Sequence, residues 1–239
     1  MLIALGSHPA GSLRGCAVCA IAVLVSHHAR AQVADATTSD PPRAVPATTG
    51  SAPRDELEYR TERRGGFVLG VIAGPAIGWA AGNPSDIKVR SDPAVEAETG
   101  VAFGHRVTPL LGGALSDWFT FGVGATFGSL QNGDYRSGIG SFIFHLEAFP
   151  LYGQADAYRD IGVSVDFGAG SSTIRTKSPD DEVASSGVMA TVGVGVFWEP
   201  LRVWHLAAGP YLGYQHNWSR WYTRNDLTLG LRAMFYGAP

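Results

Sequence analysis

Ser141, His145 and Glu147 are the residues whose types and spacing come nearest to a hydrolytic set in this chain. A serine nucleophile needs a histidine base within hydrogen-bond reach, an acid that orients the histidine, and an oxyanion donor. On an extended strand, residues two apart share a face about 6.6 Å from each other, so Glu147 can meet His145 and Ser141 lies on the same face. Ser141 is four positions from His145, too distant for a direct bond along a regular strand. "GAGSS" (168–172) is glycine-rich but is followed by neither Lys-Ser/Thr nor a helix, which argues against a phosphate cradle. His105, His145, His205 and His216 are scattered without metal-ligand spacing. The expectation is a chain with no catalytic residue, no metal and no cofactor.

The same polar residues have a structural use. Arg106, His145, Glu147, Asp166, His205, Tyr211 and Arg232 fall on one face of alternating segments. A charge taken out of water must be paired, or desolvation makes it too costly. The expected arrangement is an internal network in which Arg106 and Arg232 offset Glu147 and Asp166. A proton or ion pathway is the functional alternative. "HNWSRWYTRND" (216–226) reads as a loop carrying Trp218, Arg220, Trp221, Tyr222 and Arg224, a mixture found at binding hot spots. It equally suits an interfacial girdle whose cations touch lipopolysaccharide phosphates, and the girdle is the favoured reading.

What must position these residues is legible in the period-two alternation. "DIGVSVDFGAG" puts Ile161, Val163, Val165, Phe167 and Ala169 on one face and glycine, serine and Asp166 on the other. "WFTFGVGATFG" and "GVMATVGVGVFW" repeat the pattern. Strands are predicted near 66–79, 99–114, 117–129, 138–150, 160–171, 185–198, 203–216 and 226–236, eight in all. The links "SD" (116–117) and "EPLR" (199–202) are short, though "LYGQADAYR" (151–159) at the same end is longer than ideal, whereas those at 80–98, 129–138, 171–184 and 216–226 are longer or more polar. Short turns at one end, long loops at the other and an even strand number describe an antiparallel up-and-down transmembrane β-barrel.

Alternation alone also fits a soluble barrel with an apolar inside. A soluble barrel needs charge on its outer wall, but here the non-apolar face is mostly Gly, Ser, Thr and Ala, small residues that suit a narrow interior. The apolar face is therefore expected to look into hydrocarbon. Glycine, at 31 of 239 residues, is abundant and charge, at 16%, is low. A net charge of −3 gives no basic face for nucleic acid. Trp79, Trp118, Phe119, Phe149, Tyr152, Trp198, Trp204, Phe235 and Tyr236 at or near strand ends suit interfacial girdles.

Residues 1–31 have the layout of a secretory signal peptide: Arg14, the apolar run "CAVCAIAVLV", then "ARA" before Gln32. Both cysteines, Cys16 and Cys19, lie inside it. Residues 32–64, rich in Pro, Ala and Thr, have little to bury and read as a disordered periplasmic tether. The barrel is expected over 65–237, with a tail at 238–239.

The last segment carries a resemblance. Thr228, Gly230, Leu231, Ala233 and Phe235, read as polar-x-Gly-apolar-x-apolar-x-aromatic, look like the terminal strand of bacterial outer-membrane barrels. From Gly66 to Gly237 the chain resembles OmpA/OmpX-type eight-stranded barrels, including a Gly-rich subgroup of uncharacterised role. The resemblance implies a monomer in the cell outer membrane of a Gram-negative bacterium, with lipid, lipopolysaccharide and the barrel-assembly machinery as partners. A departure is that Tyr236 to Pro239 follow the aromatic position. The function expected is structural, adhesive or interactive, with a side-chain-filled lumen. A small channel comes second and a lipid A-modifying enzyme third.

Overall fold

The computed structural model describes residues 64–84, 88, 92–154 and 158–237. The expected leader, all of the tether before Arg64 and the two-residue tail lie outside them. Eight long strands are present among the described residues: β1 Gly66–Gly82, β2 Ala102–Ser116, β3 Phe119–Gln131, β4 Tyr135–Ala148, β5 Ile161–Thr176, β6 Glu182–Trp198, β7 Leu206–Trp218 and β8 Tyr222–Tyr236. Each pairs antiparallel with the next, and β8 returns to β1 from Val68↔Tyr236 to Gly82↔Tyr222. The sheet is thus closed, which leaves no edge along the body of the cylinder. Two short strands, Ala97–Glu98 and Leu201–Val203, pair with β1 and β7.

The expected contrast in loop length is not found. Of the four segments read as long loops, only 83–101 is long; the others reduce to turns at 132–134, 177–181 and 219–221. The longest connection at the opposite end, where both termini of the barrel lie, is 149–160. The polar residues taken for loops continue the ladder instead: Gln131 pairs with Arg136, Tyr135 with Thr176 and Thr223 with Trp218. Polarity there does not mark the end of the strand.

The wall is apolar outside. Val163, Val165 and Phe167 are 43–44% exposed, and Leu227, Leu229 and Leu231 are exposed, whereas Thr228 and Arg232 between and beside them are buried. The outward apolar runs Phe119–Phe127, Ile161–Ala169, Leu206–Tyr214 and Leu227–Phe235 each cover the same stretch of strand. Nine residues at ~3.3 Å each, tilted by ~40°, rise roughly 20–25 Å. The strands themselves are 13–17 residues long, so they overrun this belt. Beyond it the outward positions turn polar, with Ser129 and Gln131 on β3, Arg136 on β4, Thr173 and Arg175 on β5 and Thr223 on β8.

The inside is fuller than a lining of small residues alone would give. Val68, Ile72, Leu110, Ile143, Phe149, Phe197, Tyr211, Met234 and Tyr236 belong to one internal cluster, and Ala80, Ile139, Ile174, Met189 and Tyr222 to a second, so Phe149 and Tyr236, expected in the outer girdle, turn inward instead. Inward glycines make room for these large side chains. A Cβ added at Gly213 would stand 2.3–2.6 Å from Tyr211 ring and hydroxyl atoms, and one at Gly195 would also meet that hydroxyl at 2.6 Å. At Gly162 it would meet the Phe197 ring at 2.3 Å. A rigid ring cannot move aside as a flexible chain can. Gly213→Ala is therefore expected to cost about 1–3 kcal/mol through overpacking. Measured by urea unfolding in micelles, most of that loss should return when Tyr211→Leu is added.

Candidate functional site

The lumen is where the chain gathers its polar chemistry. Toward the end that carries the termini, Arg232 donates through Nη2 to both carboxylate oxygens of Glu147 at 2.7 Å, and through Nη1 to Glu199. Tyr236 Oη donates to the same Glu199 at 2.9 Å. His145 sits between two carboxylates, Nε2 2.8 Å from Glu147 Oε1 and Nδ1 2.5 Å from Asp166 Oδ1. Only a ring carrying both protons donates in both directions. Arg232 also lies over the Phe197 ring, 4.1 Å from its centroid.

Below this layer Arg64, at the start of the described barrel, is 1% exposed. Its guanidinium packs on Phe149 at 3.5 Å and reaches Asp160 Oδ1 at 2.6 Å, Glu199 Oε2 at 3.2 Å and the Asp117 carbonyl at 3.1 Å. Its backbone N–H donates to Asp117 Oδ1 at 2.9 Å. Asp117, Asp160 and Glu199 belong to the three connections at this end, so one side chain ties them together across the mouth. Arg202 adds a third guanidinium on Glu199 at 3.1 Å, beside those of Arg64 and Arg232.

The other half of the lumen holds a separate network. Arg106 Nη1 donates to Asp226 Oδ1 at 2.9 Å and to Gln215 Oε1 at 3.0 Å. Arg224 approaches Asp226 Oδ2 at 3.4 Å and donates to Ser137 Oγ at 3.0 Å. Tyr222 Oη meets Ser137 Oγ at 3.0 Å and accepts from Ser172 Oγ at 2.7 Å. Thr191 and Gln215 both donate to Asn217 Oδ1. Between the two networks Leu110, Ile143 and Ile72 pack across the barrel. In these clusters the guanidiniums of Arg64, Arg106, Arg202, Arg224 and Arg232 face the carboxylates of Glu147, Asp160, Glu199 and Asp226, and His145 takes Asp166.

Of the residues expected in the lumen, Arg106, His145, Glu147, Asp166, Tyr211 and Arg232 all point inward and are buried. His205 does not. It lies in the turn before β7, half-buried, with its ring against Trp204 and Phe235. The sequence places the strand start at 203, and the turn at Trp204, which has φ 55, breaks the parity that would have carried His205 inside.

The partners also differ from expectation: Arg106 takes Asp226, and Asp166 is held by His145. The loop group divides. Trp218 and Arg220 are at the rim, Arg220 stacking on Trp221 at 4.5 Å, while Tyr222 and Arg224 are lumen residues. Arg224 and Asp226 share the parity of Thr228, Gly230 and Arg232, a signal that a loop reading of this segment hides. Glu199 and Asp160 lie in connections, and Arg64 in a segment whose composition points away from burial; no periodicity marks them. In β8, Thr228 points inward, and Leu231, Ala233 and Phe235 lie on the outer wall.

The serine–histidine reading gains no geometry. Ser141 Oγ is buried without a hydrogen-bond partner among the described residues, and both ring nitrogens of His145 are engaged by carboxylates.

No protein-family model and no curated protein matches the chain. Solved structures do. Ail, the attachment invasion locus protein of Yersinia pestis, is 11% identical with a TM-score of 0.44, covering 71% of this chain and 99% of its own. Neisserial surface protein A is 13% identical with a TM-score of 0.42, covering 70% and 95%. The N-terminal β-barrel domain of Pseudomonas aeruginosa OprF is 13% identical with a TM-score of 0.38, covering 72% and 100%.

Proposed function

We propose that this protein is an integral outer-membrane barrel whose lumen is sealed, and whose role is structural, adhesive or interactive through its surface. The observation that carries the membrane reading is the closed cylinder with a continuous apolar outer belt roughly 20–25 Å high. Several dozen apolar side chains, each giving up about 1.5–3 kcal/mol when left in water instead of being buried, favour hydrocarbon around the wall. Closure serves the same reading, since an open edge in lipid leaves backbone groups unpaired at several kcal/mol each.

The sealed-lumen reading rests on Arg64 and Arg232, their guanidinium nitrogens paired, and on Tyr211, Leu110 and Ile143 filling other levels of the interior. Ions crossing such a lumen would have to displace buried ion pairs. The engaged His145 and the isolated Ser141 support a non-enzymatic role. Its partners on this reading are outer-membrane lipid and, during biogenesis, the barrel-assembly machinery. The full chain inserted into planar bilayers is expected to give no unitary current steps. Steps of reproducible amplitude would replace the sealed barrel with the small-channel reading.

A further inference from the structure

Most of the outer wall is simple at the edge of its belt, but across β7, β8 and β1 it carries a built polar cluster. Asn225 sits on the outward face of β8, yet it is 8% exposed. Its Oδ1 accepts from Tyr214 Oη at 2.5 Å and from His216 Nδ1 at 2.7 Å. An amide oxygen only accepts, so His216 donates to it from Nδ1, and in the neutral form of the ring Nε2 is the acceptor. The amide NH2 of Asn225 makes no hydrogen bond among the described residues. Trp218 stacks on the His216 ring, 5.0 Å between centroids and 15° between planes. Trp79 is the register partner of Asn225 on β1, and His216 is its partner on β7. Trp79, Tyr214 and Trp218 are each about two-fifths exposed.

Location and charge narrow the ligand. Tyr214 and Leu227 end the apolar runs of β7 and β8 at this level, so the cluster begins where the belt gives out. The neighbouring outward side chains are Ile77, Val192, Thr223 and Leu227, none of them ionic, and the flanking Arg224 and Asp226 face the lumen. Arg220, the next cation in sequence among the described residues, lies in the β7–β8 turn and is engaged over the Trp221 ring at 4.5 Å, so the strand faces themselves offer an anion no cation. What the wall presents is an amide donor and an imidazole acceptor among three aromatic side chains. That combination suits a sugar, whose C–H faces pack on rings while its hydroxyls both donate and accept.

Resting on the membrane reading above, we propose that Trp79, Tyr214, His216, Trp218 and Asn225 form a site for the saccharide headgroup of a membrane glycolipid, with the acyl chains lying along the belt below. A lipid-borne sugar is favoured over a soluble one because the site is continuous with that belt.

The test uses the full chain folded in detergent micelles, with native mass spectrometry reading retained lipid. The probes are a monoglucosyl diacylglycerol, a phosphatidylcholine with the same acyl chains, and free methyl glucoside. Boiled and unboiled gel mobility and protease protection in vesicles report folding and insertion separately. The site is expected to retain the glycolipid about tenfold better than phosphatidylcholine, with Asn225→Ala and Trp218→Leu each removing most of that preference, the scale of one lost anchor. Free methyl glucoside is expected not to compete at equal concentration. Equal retention of the two lipids, or unchanged preference in both variants, overturns the site. Effective competition by methyl glucoside overturns its lipid assignment. Failure of the folded chain to insert in vesicles overturns the membrane reading and this proposal with it, whereas insertion without sugar preference overturns this proposal alone.

Discussion

Replacing Arg232 with Met is expected to destabilise the barrel by about 3–5 kcal/mol, because it strands buried carboxylates without their partner. Arg232 is fully buried, and it is the guanidinium that joins Glu147 to Glu199. Methionine fills similar space on Phe197 but offers no donors. Glu147 would keep only His145, and Glu199 would keep Arg64, Arg202 and the Tyr236 hydroxyl. The loss is read as a lower urea midpoint in micelles and an earlier loss of the unboiled gel form. Adding Glu147→Gln to Arg232→Met should recover part of it, since the neutral amide no longer carries an unpaired charge. A double-mutant cycle with positive coupling distinguishes this ion pair from simple loss of packing.

The second large effect comes from the outer wall. Leu231 is 69% exposed and lies in the middle of the β8 belt, one position from the buried Arg232. Leu231→Arg is expected to destabilise the inserted barrel by about 2–4 kcal/mol, the cost of a cation near the hydrocarbon midplane. Thr223→Arg, on the same strand and face but above the belt, should fall near the ~0–1 kcal/mol found close to the interfaces. Refolding into phosphatidylcholine vesicles measures both. Equal, small effects would mean that the wall faces water.

Much of the barrel is visible in the sequence because period-two alternation reports directly on which medium each face meets. The eight predicted segments all correspond to strands, and the alternation over 161–169 puts Ile161, Val163, Val165, Phe167 and Ala169 outward and Ser164 and Asp166 inward, as observed. Boundaries shift where alternation loses its apolar half. Beyond the belt the outward face turns polar and the inward face keeps only isolated apolar residues such as Leu130 and Ile174, so 129–138 and 171–184 look like loops even though the ladder runs on to Gln131 and Thr176 and resumes at Tyr135 and Glu182. The lumen is legible only in part. Parity finds Arg106, His145, Glu147, Asp166 and Arg232, but it cannot say which pairs with which, because pairing across the cylinder depends on shear and side-chain reach. Arg64, Asp160 and Glu199 lie outside regular strands, where parity has no meaning. They become partners only because the connections at the termini end fold over one mouth. Asn225 is hidden for a different reason: a polar residue on the outer face breaks the apolar pattern and reads as a loop.

The orientation of the wall is tested most directly by spin labels placed singly along β5, at 163, 164, 165, 166 and 167, in a full chain whose Cys16 and Cys19 are replaced by serine. In vesicles, labels at 163, 165 and 167 are expected to be relaxed strongly by oxygen dissolved in the hydrocarbon and weakly by a water-soluble nickel complex, while those at 164 and 166 are shielded from both. Strong relaxation by the nickel complex at 163, 165 and 167, or oxygen access at the even positions instead, would contradict the account.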